Sequence, residues 1–179
     1  MERFIEVSIA AQRLRLYEQG NLVMEVLVST AAKGAGECRG SEQTPRGWHT
    51  IRAKIGAGAP LNTVFKGRRL TGEIYTPQLR EANPGRDWIL TRILWLSGLE
   101  PGRNRLGQVD TMRRYIYIHG TPDEEAMGTP ASHGCIRMRN TDLVKLFESA
   151  PVGTPVLIGE QWRANHEELL SDAINKFSS

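Results

Sequence analysis

The stretch Ser132-His133-Gly134-Cys135-Ile136-Arg137-Met138, which follows Ile118-His119-Gly120 after a short loop, decides how the rest of the chain is interpreted. It places a thiol, two imidazoles and a guanidinium close together in sequence, and these are the groups that a cysteine nucleophile requires. A free thiol with a pKa of ~8.5 is only a few per cent thiolate at neutral pH, so it needs an imidazole partner or a positive electrostatic environment. His119 and His133 are both candidates for that partner.

Composition permits such a site and excludes several other classes. The chain has 179 residues, of which 40% are hydrophobic and 24% charged, as expected for one globular domain with a real core. Its formal net charge of +3 is small, and no run of like charges favours a nucleic acid or a membrane surface as partner. The two cysteines, Cys38 and Cys135, are too few for a disulfide framework, and we expect both to be reduced.

The beginning of the chain leads to an expectation about compartment. Residues 1–7 already alternate like a strand, and no run of about 18 apolar residues occurs anywhere in the sequence. On this basis we expect the protein to be cytoplasmic, or periplasmic if an export leader has been removed.

Short strands separated by turns dominate the first 120 residues. Leu14–Tyr17 and Leu22–Val28 predict a hairpin with the dipeptide Gly20-Asn21 at its turn. The turn residues that recur between Gly56 and Arg92 indicate strands joined by substantial loops that could wall a cleft. The other predicted strands contain Ile5, Val7 and Ile9; Trp48 to Ile51; Ile89-Leu90; Ile93 to Leu96; Tyr115 to Ile118; and Thr154 to Ile158.

Two helices are predicted after Cys135. The first is capped by Asn140 or Thr141, and its apolar face is Leu143, Val144, Leu146 and Phe147. The second carries Leu169, Leu170, Ala173, Ile174 and Phe177 at helical spacing. We therefore expect a catalytic domain over residues 1–159 and an amphipathic helix within residues 160–179 that docks on it.

Several motifs together resemble the catalytic domain of the L,D-transpeptidases, the YkuD domain, over residues 3 to 158. The resemblance implies a mainly β sandwich or roll. The motif that carries it most specifically is His-Gly followed after a loop by Ser-His-Gly-Cys, with an Arg and an Asn nearby. The matching residues are Gln12, Leu14, Leu16, Val28-Ser29-Thr30, Thr44-Pro45-Arg46-Gly47, Ile118-His119-Gly120 and Ser132 to Met138.

The resemblance also implies a role for each residue of the site. Cys135 would attack the carbonyl that joins the L-centre of meso-diaminopimelate to the terminal D-Ala of a peptidoglycan tetrapeptide, and would form a thioester. His119 is the matching base, oriented by the backbone carbonyl of Gly120. Backbone N–H groups of the turn at His133 and Gly134 would stabilise the oxyanion, at about 3 kcal/mol for each good donor.

The remaining residues have a functional and a structural interpretation. Arg137 is assigned with Ser132 to substrate binding, because a guanidinium can bind a substrate carboxylate at two points, although Arg137 could instead pair with a protein carboxylate. His133 either lines the oxyanion site or only shapes the turn. Cys38 is interpreted as a bystander. Trp88 and Trp95 are the tryptophans that could touch a ligand.

The thioester can be resolved by water or by an amine. We favour water, which makes the protein an L,D-carboxypeptidase of cell-wall recycling that trims soluble tetrapeptides or muropeptides, with an L,D-transpeptidase as the alternative. No cofactor, metal, nucleic acid, membrane or obligate protein partner is expected. A metal-binding module built on His119, His133 and Cys135, with His49 or Cys38 as a further ligand, is a remote alternative, because their spacing matches no zinc finger or ribbon. A peptide-binding module without turnover is another.

Overall fold

The computed structural model of the protein describes residues 3–163 and 166–177. In this part of the chain ten strands form one sheet: β1 (Arg3–Ser8), β2 (Arg13–Glu18), β3 (Asn21–Ser29), β4 (Gly47–Ile55), β5 (Thr63–Lys66), β6 (Arg69–Ile74), β7 (Ile89–Gly98), β8 (Tyr117–Gly120), β9 (Ile136–Met138) and β10 (Pro155–Gly159). Their order is β4-β10-β1-β2-β3-β9-β8-β7-β5-β6, and β4 also pairs with β7. The sheet therefore closes on itself, with β5 and β6 attached as a side hairpin, and the predicted mainly β fold is confirmed.

The core lies inside this closed sheet. It is built from alternating aliphatic side chains of the strands, and α2 (Asn140–Ser149) covers β7 and β8 with Leu143, Leu146 and Phe147. This is the apolar face predicted for α2, except that Val144 is only half-buried. The buried cluster that these helix residues join also contains Ile5, Val7, Leu14, Leu16, Val28, Ile51, Leu94, Leu96, Ile116, Ile118, Ile136, Met138, Ala150, Val156 and Ile158.

The β2–β3 hairpin is shifted by one residue from the prediction. Its turn is Gln19-Gly20, with φ of 48° and 78°, and Asn21 already pairs with Glu18 across the strands. A two-residue turn with positive φ at both positions matches the right-handed twist of the flanking strands. The predicted turn, Gly20-Asn21, is therefore wrong at Asn21, which belongs to β3.

The Gly56–Arg92 region contains a helix that the sequence analysis missed. Helix α1 (Pro77–Ala82) begins at Thr76, whose hydroxyl accepts a hydrogen bond from the Leu79 N–H at 3.1 Å. A threonine cap followed by proline at the first helical position is a start signal that was present in the sequence. The helix is only six residues long, and it contacts a buried cluster through Leu79. One apolar contact in six residues gives no helical periodicity that a sequence pattern could reveal.

Strand β8 starts two residues later than predicted. Tyr115 has φ of 57°, which is a left-handed conformation that interrupts an extended strand, and Ile116 donates its N–H to the Thr111 carbonyl. The strand therefore runs from Tyr117 through His119 to Gly120. This shift places His119 inside the strand, rather than just beyond its end.

Helix α3 (His166–Phe177) follows the last strand. Leu169 is buried against Trp48 and Leu157, and the Lys176 ammonium lies 3.5 Å from Glu100. The side chains of Leu170, Ala173, Ile174 and Phe177, which complete the predicted apolar face, lie outside the described residues.

Candidate active site

The site is organised by the parallel pair β8 and β9. Ile118 pairs with Ile136 and His119 with Arg137. Side chains alternate between the two faces of a strand, so Ile118 and Ile136 point into the core while His119 and Arg137 share the opposite face. Cys135 immediately precedes β9, and its sulfur accepts a hydrogen bond from the Tyr117 N–H at 3.3 Å. Cys135, His119 and Arg137 are therefore brought to one face of the sheet.

The turn before Cys135 is held by two hydroxyl groups. Ser132 Oγ donates to the Cys135 carbonyl at 2.6 Å and accepts the Gly134 N–H at 3.2 Å. Thr44 Oγ1 accepts the Ala31 N–H at 3.0 Å and donates to the Gly134 carbonyl at 2.9 Å. Ser132 is buried and its hydroxyl is used inside the turn, which argues for a structural role and against substrate contact. Thr44 was part of the motif, but the sequence assigned it no role.

Gly134 is required by its backbone conformation. Its φ is 132°, and an added Cβ would lie 3.0 Å from Ile116 Cδ1 and 3.2 Å from the Gln43 carbonyl. Its N–H is already bonded to Ser132, so the predicted oxyanion role of this N–H requires that bond to be exchanged. The N–H of Cys135 itself is a second candidate donor to the oxyanion.

Cys135 lies half-buried against an apolar cluster that includes Phe65, Ile93 and Tyr117. Burial raises the pKa of its thiol to about 12, and the negative charge of Asp87 acts in the same direction. The Tyr117 N–H and the nearby guanidinium groups lower the pKa, but burial is the larger effect. The resting thiol is therefore neutral, contrary to the expectation of a setting that promotes the thiolate.

His119 is buried, and this desolvation lowers its pKa, so its imidazole is neutral at physiological pH. Its Nδ1 lies 2.6 Å from the Gly120 carbonyl. A carbonyl only accepts hydrogen bonds, so Nδ1 carries the proton and Nε2 keeps a lone pair. This is the orientation by Gly120 that the sequence analysis expected, and it gives Nε2 the capacity to act as a base.

No hydrogen bond among the described residues joins the thiol and the imidazole. His119 lies two residues beyond Tyr117, which is about 7 Å along a strand, and Tyr117 contacts the sulfur. The Cys135 thiol instead donates to the Tyr115 carbonyl at 3.4 Å. Within residues 3–163, both hydrogen bonds of the sulfur are made with the backbone of Tyr115 and Tyr117. Proton transfer to His119 therefore requires rotation of the thiol away from Tyr115.

Arg137 is paired with a carboxylate that the sequence analysis did not identify. Its Nη2 lies 3.1 Å from Asp87 Oδ1, and its side chain is 12% exposed while that of Asp87 is 52% exposed. The charges of both residues reach the thiol and His119, with opposite effects on their pKa values. The alternative in which Arg137 pairs with a protein carboxylate thus describes this structure, and a substrate carboxylate would compete with Asp87.

Two grooves meet at His133, whose side chain is exposed and lines both. The larger, of about 730 Å³, is also lined by Asp87, Trp88, Thr121 and Arg137. The smaller, of about 310 Å³, is lined by Arg39, Arg113, Arg114 and Tyr115 on the other side of the turn. We name them the Asp87 groove and the Arg39 groove. Cys135 adjoins both, because its thiol bonds to Tyr115, which lines the Arg39 groove, and because Arg137, two residues further along, lines the Asp87 groove.

The two tryptophans that were candidates for ligand contact differ in position. Trp88 lines the Asp87 groove, although it is largely buried against Tyr75 at a ring distance of 5.1 Å. Trp95 packs between Tyr115 and Tyr117, and its Nε1–H donates to the Met112 carbonyl at 3.1 Å.

Arg114 is a further residue near the thiol that the sequence did not indicate. Its guanidinium donates to the carbonyls of Gly36, Glu37 and Gln43 at 3.2, 3.1 and 2.6 Å, and thereby ties down the loop next to Gly134. Burial lowers its pKa. Its charge acts against the rise in the pKa of Cys135. It lies 21 residues from Cys135 in sequence, so no local pattern could have revealed it.

The other candidate metal ligands are placed apart from the thiol. Cys38 is exposed, and His49 is buried with Nδ1 bonded to the Gly47 carbonyl and Nε2 to the Thr111 hydroxyl. Among the described residues no group of three or more His, Cys, Asp or Glu side chains is arranged to hold a metal ion. None of the described helices has the length and apolar character needed to cross a bilayer.

Comparison with known proteins agrees with the fold. The family model of the YkuD L,D-transpeptidase catalytic domain matches residues 2–158. The protein named "Probable L,D-transpeptidase ErfK/SrfK" of Salmonella typhimurium is 30% identical over 92% of this chain and 50% of its own length. "Probable L,D-transpeptidase YbiS" of Escherichia coli K12 is 47% identical over 30% of this chain and 18% of its own length. The chain spans about half or less of these relatives.

Solved structures show the same fold at lower sequence identity. An L,D-transpeptidase of Xylanimonas cellulosilytica superposes with a TM-score of 0.56 at 20% identity, over 88% of this chain and 60% of that one. An L,D-transpeptidase of Mycobacterium smegmatis gives a TM-score of 0.53 at 19% identity, over 88% and 58% of the two chains. With a family model matching most of its length, the chain belongs to the L,D-transpeptidase catalytic-domain family.

Proposed function

We propose that this chain is a cysteine acyl-transfer enzyme that cleaves the bond between the L-centre of meso-diaminopimelate and the terminal D-Ala of a peptidoglycan tetrapeptide. The observation that carries the proposal is that Cys135 and a neutral, Nδ1-protonated His119 lie on one sheet face, with two grooves lined by His133, Arg137 and Tyr115 next to the thiol. Membership of the L,D-transpeptidase family supports the substrate class.

The first half-reaction begins with both catalytic residues neutral. As the sulfur attacks the carbonyl carbon, the thiol proton passes to His119 Nε2, and the Nδ1–H bond to Gly120 stabilises the imidazolium that forms. The oxyanion is stabilised by N–H groups of the turn that ends at Cys135. The tetrahedral intermediate collapses, the C–N bond breaks, and the D-Ala amine leaves with the proton from His119.

The Arg39 groove suits the leaving side of the scissile bond. An exopeptidase must bind the free carboxylate of the terminal D-Ala, and the guanidinium groups of Arg39 and Arg113 line this groove beside Tyr115. The Asp87 groove would then take the stem peptide, with a substrate carboxylate replacing Asp87 on Arg137 and a substrate ammonium group replacing Arg137 on Asp87. We favour water as the second nucleophile, which gives an L,D-carboxypeptidase that acts on soluble tetrapeptides in the cytoplasm.

Transpeptidation is the second candidate, and one observation favours it. The amine that attacks a thioester enters where the D-Ala amine left, and the Arg39 groove, at about 310 Å³, has room for a D-amino acid there. The relatives named above also carry the name L,D-transpeptidase. Both reactions share the Cys135 thioester and differ only in what resolves it.

Product analysis tests the function and separates the two outcomes. Purified protein is incubated with a meso-diaminopimelate tetrapeptide, with and without excess D-methionine, and the products are separated by liquid chromatography and mass spectrometry. The proposal expects free tripeptide as the main product in both cases, and none with Cys135→Ser. Predominant D-methionine exchange or cross-linking would replace hydrolysis by transpeptidation. Turnover by Cys135→Ser, or none by the wild type, would reject the enzymatic proposal.

A further inference from the structure

The carbonyl that orients His119 is adjacent to a buried network of side chains. Asn140 is 3% exposed, and its Nδ2 donates to the Thr121 carbonyl at 2.9 Å and to Asn62 Oδ1 at 3.1 Å. Its Oδ1 accepts from Thr91 Oγ1 at 2.6 Å. Thr91 Oγ1 in turn accepts the Asn62 N–H at 3.1 Å. The network thus connects three separate parts of the chain to the residue that follows Gly120.

Asn140 or Thr141 was expected to cap α2, and neither does. The N-cap of α2 is Arg139, without a side-chain cap hydrogen bond, and the Asn140 amide turns instead toward β7 and β8. A buried amide offers two donors and one acceptor oxygen, and here both donor and acceptor functions are used. The side chain therefore acts on the site strand, not on its own helix.

Thr91 is held in a conformation that its side chain disfavours. Its φ is 74°, which is a genuine outlier for a β-branched residue and costs of order 1–3 kcal/mol. It lies in a bulge of β7, between Leu90, which pairs with Gly120, and Ile93, which pairs with His119. The strained residue is thus opposite the two residues that form the Nδ1–H bond. Glycine would adopt this φ without strain, so the threonine hydroxyl has a use that offsets the cost.

Gly120 is packed tightly between Asn140 and the Leu90 backbone. A Cβ at Gly120 would overlap Asn140 Oδ1 and the Leu90 carbonyl. The amide of Asn140 therefore packs directly on the backbone of Gly120 while its nitrogen holds the next carbonyl, that of Thr121. With the backbone fixed on both sides, the Gly120 carbonyl has one orientation available, toward His119 Nδ1 at 2.6 Å.

We propose that Asn140 and Thr91 are positioning residues, which fix the Gly120 carbonyl and thereby keep His119 protonated on Nδ1 with Nε2 available as the base. The catalytic part of this inference rests on the proposed function, but the control of the tautomer does not. Neither residue touches the thiol in the contacts described, and both act through Gly120.

The test compares three substitutions of Thr91 by NMR of ¹⁵N-histidine-labelled protein. Thr91→Val removes the hydroxyl and keeps the shape, Thr91→Ser keeps the hydroxyl, and Thr91→Gly removes the hydroxyl and relieves the strained φ. Thr154→Val is the matched control, because Thr154 is also buried and its hydroxyl bonds a carbonyl, that of Pro151, at 2.7 Å. The readouts are the His119 Nδ1–H resonance and the ring nitrogen shifts, which report the tautomer, together with kcat and KM.

For Thr91→Val and Thr91→Gly we expect the Nδ1–H signal to broaden or vanish and the ring to populate both tautomers. We also expect kcat to fall by about 10- to 100-fold, by analogy with the loss of activity when the outer partner of a metal-bound histidine is removed, with KM nearly unchanged. Thr91→Ser should restore both readouts, and Thr154→Val should lower thermal stability while leaving His119 unchanged.

An unchanged His119 signal in Thr91→Gly, or in Thr91→Val with only a loss of stability like that of Thr154→Val, would overturn the inference. If Thr91→Val does not fold, Thr91→Gly decides, because its backbone is relieved of strain. If the wild type shows no peptide turnover, the proposed function fails, whereas the NMR comparison still decides whether Thr91 controls the tautomer.

Discussion

Cys135 and His119 are both neutral at rest, and this determines how the thiol reacts. A nucleophilic cysteine paired with a cationic imidazole titrates at low pH, whereas burial raises the pKa of Cys135 to about 12. The site therefore generates the thiolate only as the proton passes to His119 in the reaction. Such an arrangement protects the thiol from adventitious alkylation and oxidation, since both require the thiolate.

The pH dependence of alkylation tests this state. In Cys38→Ser, where Cys135 is the remaining cysteine, the rate constant with iodoacetamide should keep rising from pH 7 to pH 10, since the thiol pKa lies above this window. Rates are measured by intact-protein mass spectrometry with short incubations. A plateau reached already at pH 7 would show a preformed thiolate and contradict the neutral pair.

His119 should set the acid limb of turnover. Its base form must be neutral, and burial lowers its pKa below the usual ~6.5. We therefore expect kcat/KM to stay constant as pH falls from 8 through 6.5, and to fall only at lower pH. An acid limb with its midpoint above pH 6.5, assigned to His119 by NMR titration, would contradict the direction of the shift.

Asp87 opposes thiolate formation, and its removal should be measurable. Its charge raises the pKa of both Cys135 and His119, so Asp87→Asn should increase the alkylation rate of Cys135 at pH 8 by roughly two- to ten-fold. Asp172→Asn, on the exposed side of α3, is the charge-matched control and should leave the rate unchanged. Equal rates in Asp87→Asn and the wild type would contradict an effect of the Asp87 charge on the thiol.

At the scale of elements, the loop at residues 36–43 depends on Arg114. Its guanidinium donates to three carbonyls of this loop, and lysine cannot reproduce that fork of donors. Arg114→Lys should increase the rate of tryptic cleavage after Arg39 several-fold, whereas the exposed neighbour change Arg113→Lys should not. Equal cleavage in the two variants would show that the loop is held by other contacts, such as the bond from the Arg39 N–H to Gln108.

Strand β4 carries a buried histidine whose protonation destabilises the fold. Burial lowers the pKa of His49 to about 4, so between pH 6.5 and 4 the unfolded chain binds more protons than the folded one. Its contribution to stability is complete above pH 6.5 and is lost as pH falls, by about 3 kcal/mol at pH 4. Urea unfolding of wild type and His49→Gln at pH 7 and pH 4 measures this.

The histidine variant provides its own control in that comparison. His49→Gln is expected to be less stable at pH 7, because the bond to Gly47 is altered, but to lose less stability than the wild type between pH 7 and pH 4. If both proteins lose stability in parallel over this range, His49 does not titrate in the way its burial indicates.

Elements with regular apolar alternation were predictable, and those defined by single backbone angles were not. β1 and β10 and the buried face of α2 follow from the spacing of their aliphatic residues. The start of β8 depends on the positive φ of Tyr115, and the bulge in β7 on that of Thr91. Neither Tyr nor Thr favours a positive φ, so tertiary contacts impose both angles. The sequence pattern therefore does not predict them.

At the scale of the whole molecule, the sequence motif contained the residues of the turn but not those that surround it. The surrounding residues come from distant parts of the sequence, namely Asp87, Thr91 and Arg114. They reach the site only because β7, β8 and the loop before Thr44 meet when the sheet closes. The motif therefore identified the candidate nucleophile and base, while the charges and the network that tune them required the structure.

Trapping the acyl-enzyme tests the central claim most directly. Protein is mixed with the meso-diaminopimelate tetrapeptide, quenched in acid at short times, and analysed by intact mass and peptide mapping. We predict that the tripeptide acyl group appears on Cys135 and is absent in Cys135→Ser, with much slower formation in His119→Ala. An acyl group on Cys38, or D-Ala release by Cys135→Ser at the wild-type rate, would contradict the assignment of Cys135 as the nucleophile.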